Sequence, residues 1–253
     1  MRMSASSFLI VCPMLFLAGF VDSIAGGGGL ISLPAYLLAG LPVHMAIGTN
    51  KFSSAFGTTL STVRFIRQKL VIARFAIPSV FFGFSGSAIG AKLSLLVSET
   101  VLKSLLLVVL PIAAFCVLNR RIFRPNESDN IKYDFKTFFV VMLSAFLVGI
   151  YDGLYGPGTG TFLIIAFSVF AKFSIKRANA HTKVINLSTN IAALVVFLLN
   201  GQVLIPLGIA AAVSNMLGNY AGSGLVMTKG VKIVKPLIIF VLTLLLVKII
   251  LGM

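Results

Sequence analysis

Long apolar runs recur along the whole chain and constrain its fold more than any other feature. They fall at about 7–24, 29–41, 45–66, 72–95, 99–118, 135–152, 160–171, 178–199, 203–227 and 231–252. A helix needs roughly 20 apolar residues to cross the hydrocarbon core of a bilayer, and most runs approach that length. Only 11% of the 253 residues are charged, against about 25% in ordinary soluble proteins. The sequence therefore predicts an all-α polytopic membrane protein, with the lipid bilayer as its surroundings.

The net charge of +15 does not indicate a nucleic-acid partner, because Lys and Arg lie in short clusters between apolar runs. The clusters fall at 64–74, 120–136, 172–177 and 229–235. Basic clusters of this kind are typical of cytoplasmic connections. Placing all four on one side requires runs 135–152 and 160–171 to enter and leave on the same face. The second half is then predicted to be a re-entrant helical hairpin followed by three transmembrane helices.

The two halves of the chain repeat each other. Residues 19–22 match 149–152, with Asp22 over Asp152, and residues 46–51 lie over 178–183. We expect 1–118 to form the first transmembrane repeat, 119–134 a cytoplasmic linker and 135–253 the second repeat. A hairpin plus three crossings is an odd number of passages, so the second copy is predicted to be inverted, as in many secondary transporters. Both termini are then predicted on the outer face.

A Gly-rich break interrupts the hairpin of each half; the first glycine break is residues 26–29 and the second is residues 156–160. Helix starts beyond such breaks carry partial positive charge and bind anions. Lys51 and Lys183 lie at equivalent positions of the two copies, and each adds one full positive charge. The candidate substrate-binding residues are Asp22, Gly26, Gly28, Gly29, Thr49, Asn50, Lys51, Asp152, Gly156, Gly158, His181, Thr182, Lys183 and Asn186. No catalytic residue, metal ligand or cofactor is predicted.

The same residues have structural interpretations that the sequence leaves open. Asp22 and Asp152 would serve equally as caps of the broken helices or as partners of the lysines. For Lys51 and Lys183 the structural interpretation is that the side chains extend along the apolar core and their ammonium groups reach the membrane surface. His181 is more often a satisfied helix-start residue than a proton carrier. Proton coupling through one of the aspartates is a further hypothesis, motivated by their depth in the apolar blocks.

A second set of glycines is predicted to pack helices closely rather than to contact substrate. Gly86 and Gly90 lie over Gly218 and Gly222 in the repeat, with a spacing of four residues in each pair. Small residues at this spacing are typical of close helix contact in lipid.

These motifs resemble the TauE/SafE sulfite exporter family of membrane permeases. The resemblance is carried by residues 22–29, by Gly-Thr-Asn-Lys at 48–51 and by the second-half echo at 149–160, and it covers essentially the whole chain. The resemblance implies a multi-pass transporter of the cell membrane, which in a bacterium is the inner membrane. Several relatives export sulfite or organosulfonates. Pro157 and Thr159 replace glycines in the second copy, so we expect the two half-sites to differ chemically.

The leading functional hypothesis is therefore a secondary transporter, not an enzyme, that moves a small anion by alternating access between the two breaks. The chain has no phosphate-binding loop of the GxxxxGK[ST] type and is not expected to use ATP itself. The first alternative is a divalent-cation permease with the aspartates as ligands. The second is an intramembrane aspartyl protease that pairs Asp22 with Asp152. The sequence leaves substrate identity, direction and oligomeric state open, a homo-oligomer included.

Overall fold

The structure, a computed structural model, describes residues 5–98 and 131–229 together with positions 100–102, 104, 108 and 236. Within this part of the chain the ordered elements are helices, and no strand occurs. The helices are α1 (Ala5–Ala25), α2 (Gly29–Leu38), α3 (Val43–Arg67), α4 (Ala73–Leu96), α5 (Phe135–Leu154), α6 (Thr159–Val169), α7 (Ile175–Leu199) and α8 (Ile205–Lys229). The predicted all-α fold is confirmed. The apolar runs 99–118 and 231–252 lie largely outside the described residues.

Four of the described helices are long and apolar enough to cross a membrane, namely α1, α4, α5 and α7. Helices α3 and α8 have 25 residues each and reach about 37 Å at 1.5 Å per residue. The outer surface is apolar, with Phe81 and Leu199 largely exposed, whereas Lys183 and Ser53 are fully buried. This distribution is the reverse of a soluble protein's and confirms a membrane protein.

The chain turns back on itself at each glycine break. In the first half α2 packs back against α1. In the second half the rings of Tyr151 in α5 and Phe162 in α6 meet edge to face, with centroids 5.8 Å apart. Helix α2 has 10 residues and α6 has 11, so each returning arm is about half as long as a full crossing.

Helices related by the sequence repeat make matching contacts. The most extensive pairs are α4 with α5 and α8 with α1; α3 with α8 and α7 with α4 follow, and α3 packs on α7. Each of these pairs joins one repeat to the other, so the two halves interlock. The repeat boundaries and the inversion of the second copy stay predictions, and most of the predicted linker 119–134 lies outside the described residues.

The second set of glycines packs helices together, which confirms their predicted role. A Cβ added to Gly86 or Gly90 of α4 would overlap the backbone of α5. A Cβ at Gly218 or Gly222 of α8 would overlap the backbone of α1 in the same way. The two most extensive helix contacts therefore each require two glycines, and the two glycine pairs occupy equivalent positions in the repeats.

Candidate functional site

The two glycine breaks lie against each other. Gly26 of the first break contacts Gly160 of the second, and Gly29 lies beside Pro157. A Cβ built on Gly29 would be 3.2 Å from the Pro157 Cα atom. The hydroxyl of Thr161, the residue after the second break, donates to the carbonyl oxygen of the residue before the first break at 3.0 Å. The tips of the two hairpins are therefore in backbone contact.

Glycine is needed at the turn of each break because of backbone conformation. Gly26 has φ +72° and its repeat equivalent Gly156 has φ +96°. Residues other than glycine rarely adopt such positive values. Gly158 also has φ +85°, whereas its equivalent Gly28 is helical, with φ −57° and ψ −39°. The two breaks thus share their first turn and differ in how the returning helix begins.

Two buried ion pairs connect the repeats around these breaks. The Lys51 ammonium on α3 lies 2.7 Å from the Asp152 carboxylate on α5, with side chains 2% and 6% exposed. The Lys183 ammonium on α7 lies 2.7 Å from the Asp22 carboxylate on α1, with side chains 0% and 17% exposed. An unpaired charge at such depth is costly, and a partner at this distance compensates for it. The pairing that the sequence left open as a structural interpretation is therefore present, and it crosses between the repeats.

A small polar cavity of about 30 Å³ lies between the breaks and the ion pairs. It is lined by Asp22, Gly26, Gly29, Asn50, Lys51, Ser54, Asp152, Gly156, Thr159, Gly160, Asn186 and Asn190. A buried water needs a space of about 10–15 Å³ on this measure, so the cavity has room for about two water molecules. The described conformation therefore leaves little room for a ligand at the site.

Eight of the predicted substrate-binding residues line this cavity. They are Asp22, Gly26, Gly29, Asn50, Lys51, Asp152, Gly156 and Asn186. Lys183 does not line it but contacts it through its ion pair. Whether these residues bind substrate stays a prediction.

Thr49 and His181 have partners elsewhere. The hydroxyl of Thr49 accepts from the backbone N–H of Leu204 at 2.9 Å, just before α8 begins. The His181 Nε2 atom accepts from the backbone N–H of Ile72 at 2.9 Å, and its ring packs edge-on against Phe173. Both side chains tie a helix to a connection of the other repeat, and a substrate role for them stays a prediction.

The remaining predicted residues, Gly28, Gly158 and Thr182, also lie outside the cavity lining. Gly28 packs directly on Asp22, where a Cβ would overlap the aspartate side chain. Thr182 is fully buried on α7. Gly28 therefore acts on the site indirectly, by allowing α2 to begin close to α1.

Sequence reasoning missed four residues of the cavity: Ser54, Thr159, Gly160 and Asn190. Ser54 follows Asn50 by four residues on α3, and its hydroxyl donates to the Asn50 side chain at 3.4 Å. Asn190 follows Asn186 by four residues on α7. Residues four apart share a helix face, so the helical period would have found both from the residues already chosen. Thr159 and Gly160 belong to the second break itself.

Some backbone N–H groups at the helix starts have partners within the turns. The backbone N–H of Leu30 donates to Gly27, and that of Ile31 donates to Gly28. In the second break the N–H of Thr159 donates to the carbonyl oxygen of Gly156 at 3.2 Å. A role of the helix starts in anion binding stays a prediction, and the side chains of Lys, Asn, Ser and Thr are further donors around the cavity.

The donor set suits an anion better than a metal ion. Lysine, amide and hydroxyl groups donate hydrogen bonds to oxyanions, whereas divalent metals prefer several carboxylate or imidazole ligands. Among the described residues no group of three or more His, Cys, Asp or Glu side chains comes together. The Asn186 side-chain oxygen is buried and has no hydrogen-bond partner in the described part of the chain.

Comparison with known proteins agrees with this architecture. The family model of sulfite exporter TauE/SafE matches residues 11–249. The chain is 39% identical to probable membrane transporter protein ORF9 of a Sinorhizobium species, over 93% of this chain and 88% of the relative. It is 35% identical to probable membrane transporter protein YfcA of Escherichia coli strain K12, over 93% of this chain and 90% of the relative. No solved structure gives a significant match. The chain belongs to the TauE/SafE sulfite exporter family of membrane transporters.

Proposed function

We propose that this membrane transporter carries a small oxyanion, sulfite or an organosulfonate, by alternating exposure of the cavity between the two glycine breaks. The family name supports sulfite and related sulfur oxyanions as the substrate class. The observation that carries the proposal is the meeting of both breaks around one polar cavity that contains a lysine ammonium. Export is the direction that the family name suggests.

Lys51 is the cation at the centre of this proposal. A Cβ built on Gly156 would lie 3.0 Å from the Lys51 ammonium, so the lysine reaches directly over the turn of the second break. Asn50 and Ser54 on the same helix, with Asn186 and Asn190 on α7, surround it with hydrogen-bonding groups. Once the Asp152 carboxylate has moved away from the ammonium group, an oxyanion at Lys51 would meet one full positive charge and several neutral donors, the combination that binds oxyanions well.

The positions of the basic connections support a cytoplasmic side for one end of the molecule. Arg177 reaches the carbonyl oxygen of Leu70 at 3.5 Å, and Lys176 reaches that of Met227 at 3.3 Å. The ring of Tyr133, beside a further basic cluster, stacks on the start of α4. Connections from three of the basic clusters thus meet at one end, together with Met227, which precedes the fourth cluster; the positive-inside rule assigns this end to the cytoplasm.

The connections that lack basic residues meet at the opposite end. The His44 ring lies 3.0 Å from the carbonyl oxygen of Ser94, and Gly48 lies against the backbone of Gln202. Residues at the start of α1 pack into the same apolar cluster as residues beside these connections. These contacts support the proposal that the first hairpin enters from outside and the second from the cytoplasm, in an inverted repeat with both termini outside.

Alternating access requires the two hairpins to move relative to each other, because the cavity holds only about two water molecules. Around the cavity the repeats are joined by the two ion pairs and the contact between the breaks. Opening towards one side would separate the breaks on that side and leave the contacts on the other side intact. This is the arrangement of gates that inverted-repeat transporters use around a central site.

The two alternatives fit the site less well. A divalent cation prefers several carboxylate or imidazole ligands, whereas each of the two carboxylates at this site is already paired with a lysine. A protease dyad requires two carboxylates that share a proton, but Asp22 and Asp152 each pair with a lysine at 2.7 Å. Neither alternative accounts for the lysines.

Reconstitution of the purified protein in liposomes tests the proposal. Uptake of sulfite and methanesulfonate would be compared with uptake of acetate, Ni²⁺ and Co²⁺. The double variant Lys51→Gln/Asp152→Asn removes the cation without leaving its buried partner ionised, and we expect it to lower sulfonate flux at least tenfold, equivalent to about 1.4 kcal/mol of lost binding. The matched control is Lys92→Gln, an exposed lysine of α4 outside the cavity. If the wild-type protein transports neither oxyanion, or if the double variant transports them as fast as wild type, the proposed site is excluded.

A further inference from the structure

We infer that the Asp152 carboxylate occupies the place of the substrate anion on Lys51 when the site is empty, so that each anion is carried together with one proton. The inference rests on the proposed function and adds the coupling ion to it. Its physical basis is that Asp152 and an oxyanion would bind the same ammonium group.

The geometry places the carboxylate and the cavity on the same cation. The Asp152 Oδ2 atom lies 2.7 Å from the Lys51 ammonium, and both side chains line the cavity. Asp152 is only 5% exposed and Lys51 only 2%, so neither charge is compensated by bulk water. An arriving anion can form a close ion pair with Lys51 only if the Asp152 carboxylate moves away from the ammonium group.

The charge balance of the site then calls for a proton. Lys51 and Lys183 contribute two positive charges, and Asp22 and Asp152 contribute two negative charges, so the empty site is neutral. Adding a monovalent anion leaves one uncompensated negative charge in a buried space, which is strongly unfavourable. Protonation of one carboxylate restores neutrality. The proton enters from the aqueous side that is open and binds the oxygen of Asp152 that Lys51 has released.

In the described part of the chain, no other group around Asp152 is placed to supply the missing charge. Helix α6 carries no ionisable side chain, and the ionisable side chains of α4, Arg74 and Lys92, are exposed. On its own helix the ionisable neighbours are Tyr151 and Tyr155, which are neutral when protonated. Across the cavity the charged groups are those of the second ion pair, which compensate each other.

The two ion pairs are not equivalent, and the difference assigns the role to Asp152 rather than Asp22. Lys51 lines the cavity, whereas Lys183 does not and is fully buried behind its partner. An anion in the cavity therefore reaches Lys51 first. The Lys183–Asp22 pair stays closed during the cycle and holds α7 to α1.

The cycle that follows conserves charge and protons. The anion and one proton enter from the same side; the anion binds Lys51 and the proton binds Asp152. After the site opens to the other side the anion leaves, Asp152 releases its proton to that side, and the ionised carboxylate pairs with Lys51 again. A monovalent anion then moves with no net charge.

Methanesulfonate is the probe of choice because it stays ionised at every working pH and brings no proton of its own, unlike sulfite. Liposomes containing the full-length protein and an entrapped pH-sensitive dye receive an inward methanesulfonate gradient. For wild type we expect the liposome interior to acidify by about one proton per anion transported. At low sulfonate concentration the flux should rise as pH falls, by at most tenfold per pH unit. A membrane potential set with potassium and valinomycin should leave sulfonate accumulation unchanged.

The variant Asp152→Asn removes the proton site and keeps Lys51. We expect sulfonate flux to persist without dye acidification, and its accumulation to change about tenfold for each 60 mV of membrane potential, since every anion then carries one charge. The control Asp134→Asn removes an exposed carboxylate at the start of α5, outside the cavity, and should retain proton movement.

Each outcome decides the inference. Wild-type sulfonate flux that carries no protons, or that responds to membrane potential with a full charge, overturns it while the transport function stands. Proton movement that persists in Asp152→Asn overturns the assignment to Asp152. If that variant does not fold, the stoichiometry and potential dependence of the wild type still decide the coupling. Absence of both sulfite and sulfonate flux in wild type removes the transport function and the inference with it.

Discussion

Gly160→Ala tests whether the two glycine breaks pack as tightly as the structure describes. A Cβ on Gly160 would lie 2.7 Å from the Gly26 carbonyl oxygen and would overlap the Gly26 Cα atom, whereas ordinary contacts begin at 3.4 Å. The breaks would have to separate by about 0.7 Å or more. The neighbours are backbone atoms, so no side-chain rotation can relieve the overlap.

The net effect can be worked out from two opposing terms. Overpacking a tight contact costs about 1–3 kcal/mol. Alanine in a helix gains up to about 1 kcal/mol over glycine, and Gly160 lies in the first turn of α6. The expected net loss is about 1–2 kcal/mol. At roughly 2–4 °C per kcal/mol for a chain of this size, the melting temperature in detergent should fall by about 2–8 °C.

Transport should fall as well, because the strain acts on the closed conformation through which each cycle passes. A strain of about 1.4 kcal/mol corresponds to a tenfold change in rate. Sulfonate flux per folded molecule in liposomes should therefore drop by about that factor. The matched control is Gly27→Ala in the first break, where the nearest atom to the added Cβ is 3.6 Å away, an ordinary contact. Equal stability and flux in Gly160→Ala and Gly27→Ala would refute the close packing of the breaks.

Three further predictions concern residues around and outside the cavity. Thr49→Val removes the acceptor of the Leu204 N–H and should cost about 1 kcal/mol of stability while leaving the KM for sulfonate unchanged; a large rise in KM would return Thr49 to the substrate site. Lys51→Met leaves Asp152 buried and unpaired, at a cost of about 3–5 kcal/mol, and adding Asp152→Asn should recover most of the lost folded yield in detergent; no recovery would argue against the ion pair. Asp134 accepts a backbone N–H at the start of α5, which lowers the pKa of its carboxyl below the usual 3.8. Its stabilisation is complete above the unfolded pKa and disappears as pH falls through the lower folded pKa, so the difference in melting temperature between wild type and Asp134→Ala should shrink below about pH 4; a difference that grows on acidification would contradict the cap.

Much of the candidate site follows from the sequence because a repeat identifies equivalent positions. Asp22 and Asp152 occupy the same place in the two copies, and Lys51 and Lys183 do likewise, so all four were candidates before any contact was known. The repeat does not say which lysine meets which aspartate. The pairing of Lys51 with Asp152 depends on how the copies pack, and packing involves surfaces that are distant in sequence.

Helix faces limit what the local sequence can decide. Thr49 and Asn50 are neighbours, and both were predicted to contact substrate, but they point in directions about 100° apart on a helix of 3.6 residues per turn. The structure turns Asn50 to the cavity and Thr49 to the connection before α8. His181 is directed to a connection of the other repeat in the same way. Orientation of this kind depends on the neighbouring helices, which a single segment does not specify.

The sequence by itself determined the membrane environment, the helical class, the positions of the two breaks and the equivalence of the two halves. These properties are local: apolar length and glycine conformation act within one segment. The tertiary structure decided that the breaks touch, that the ion pairs cross between repeats and that the cavity lies between them. The physical reason is that buried charges are stable only beside their partners, and the partners come from opposite halves of the chain.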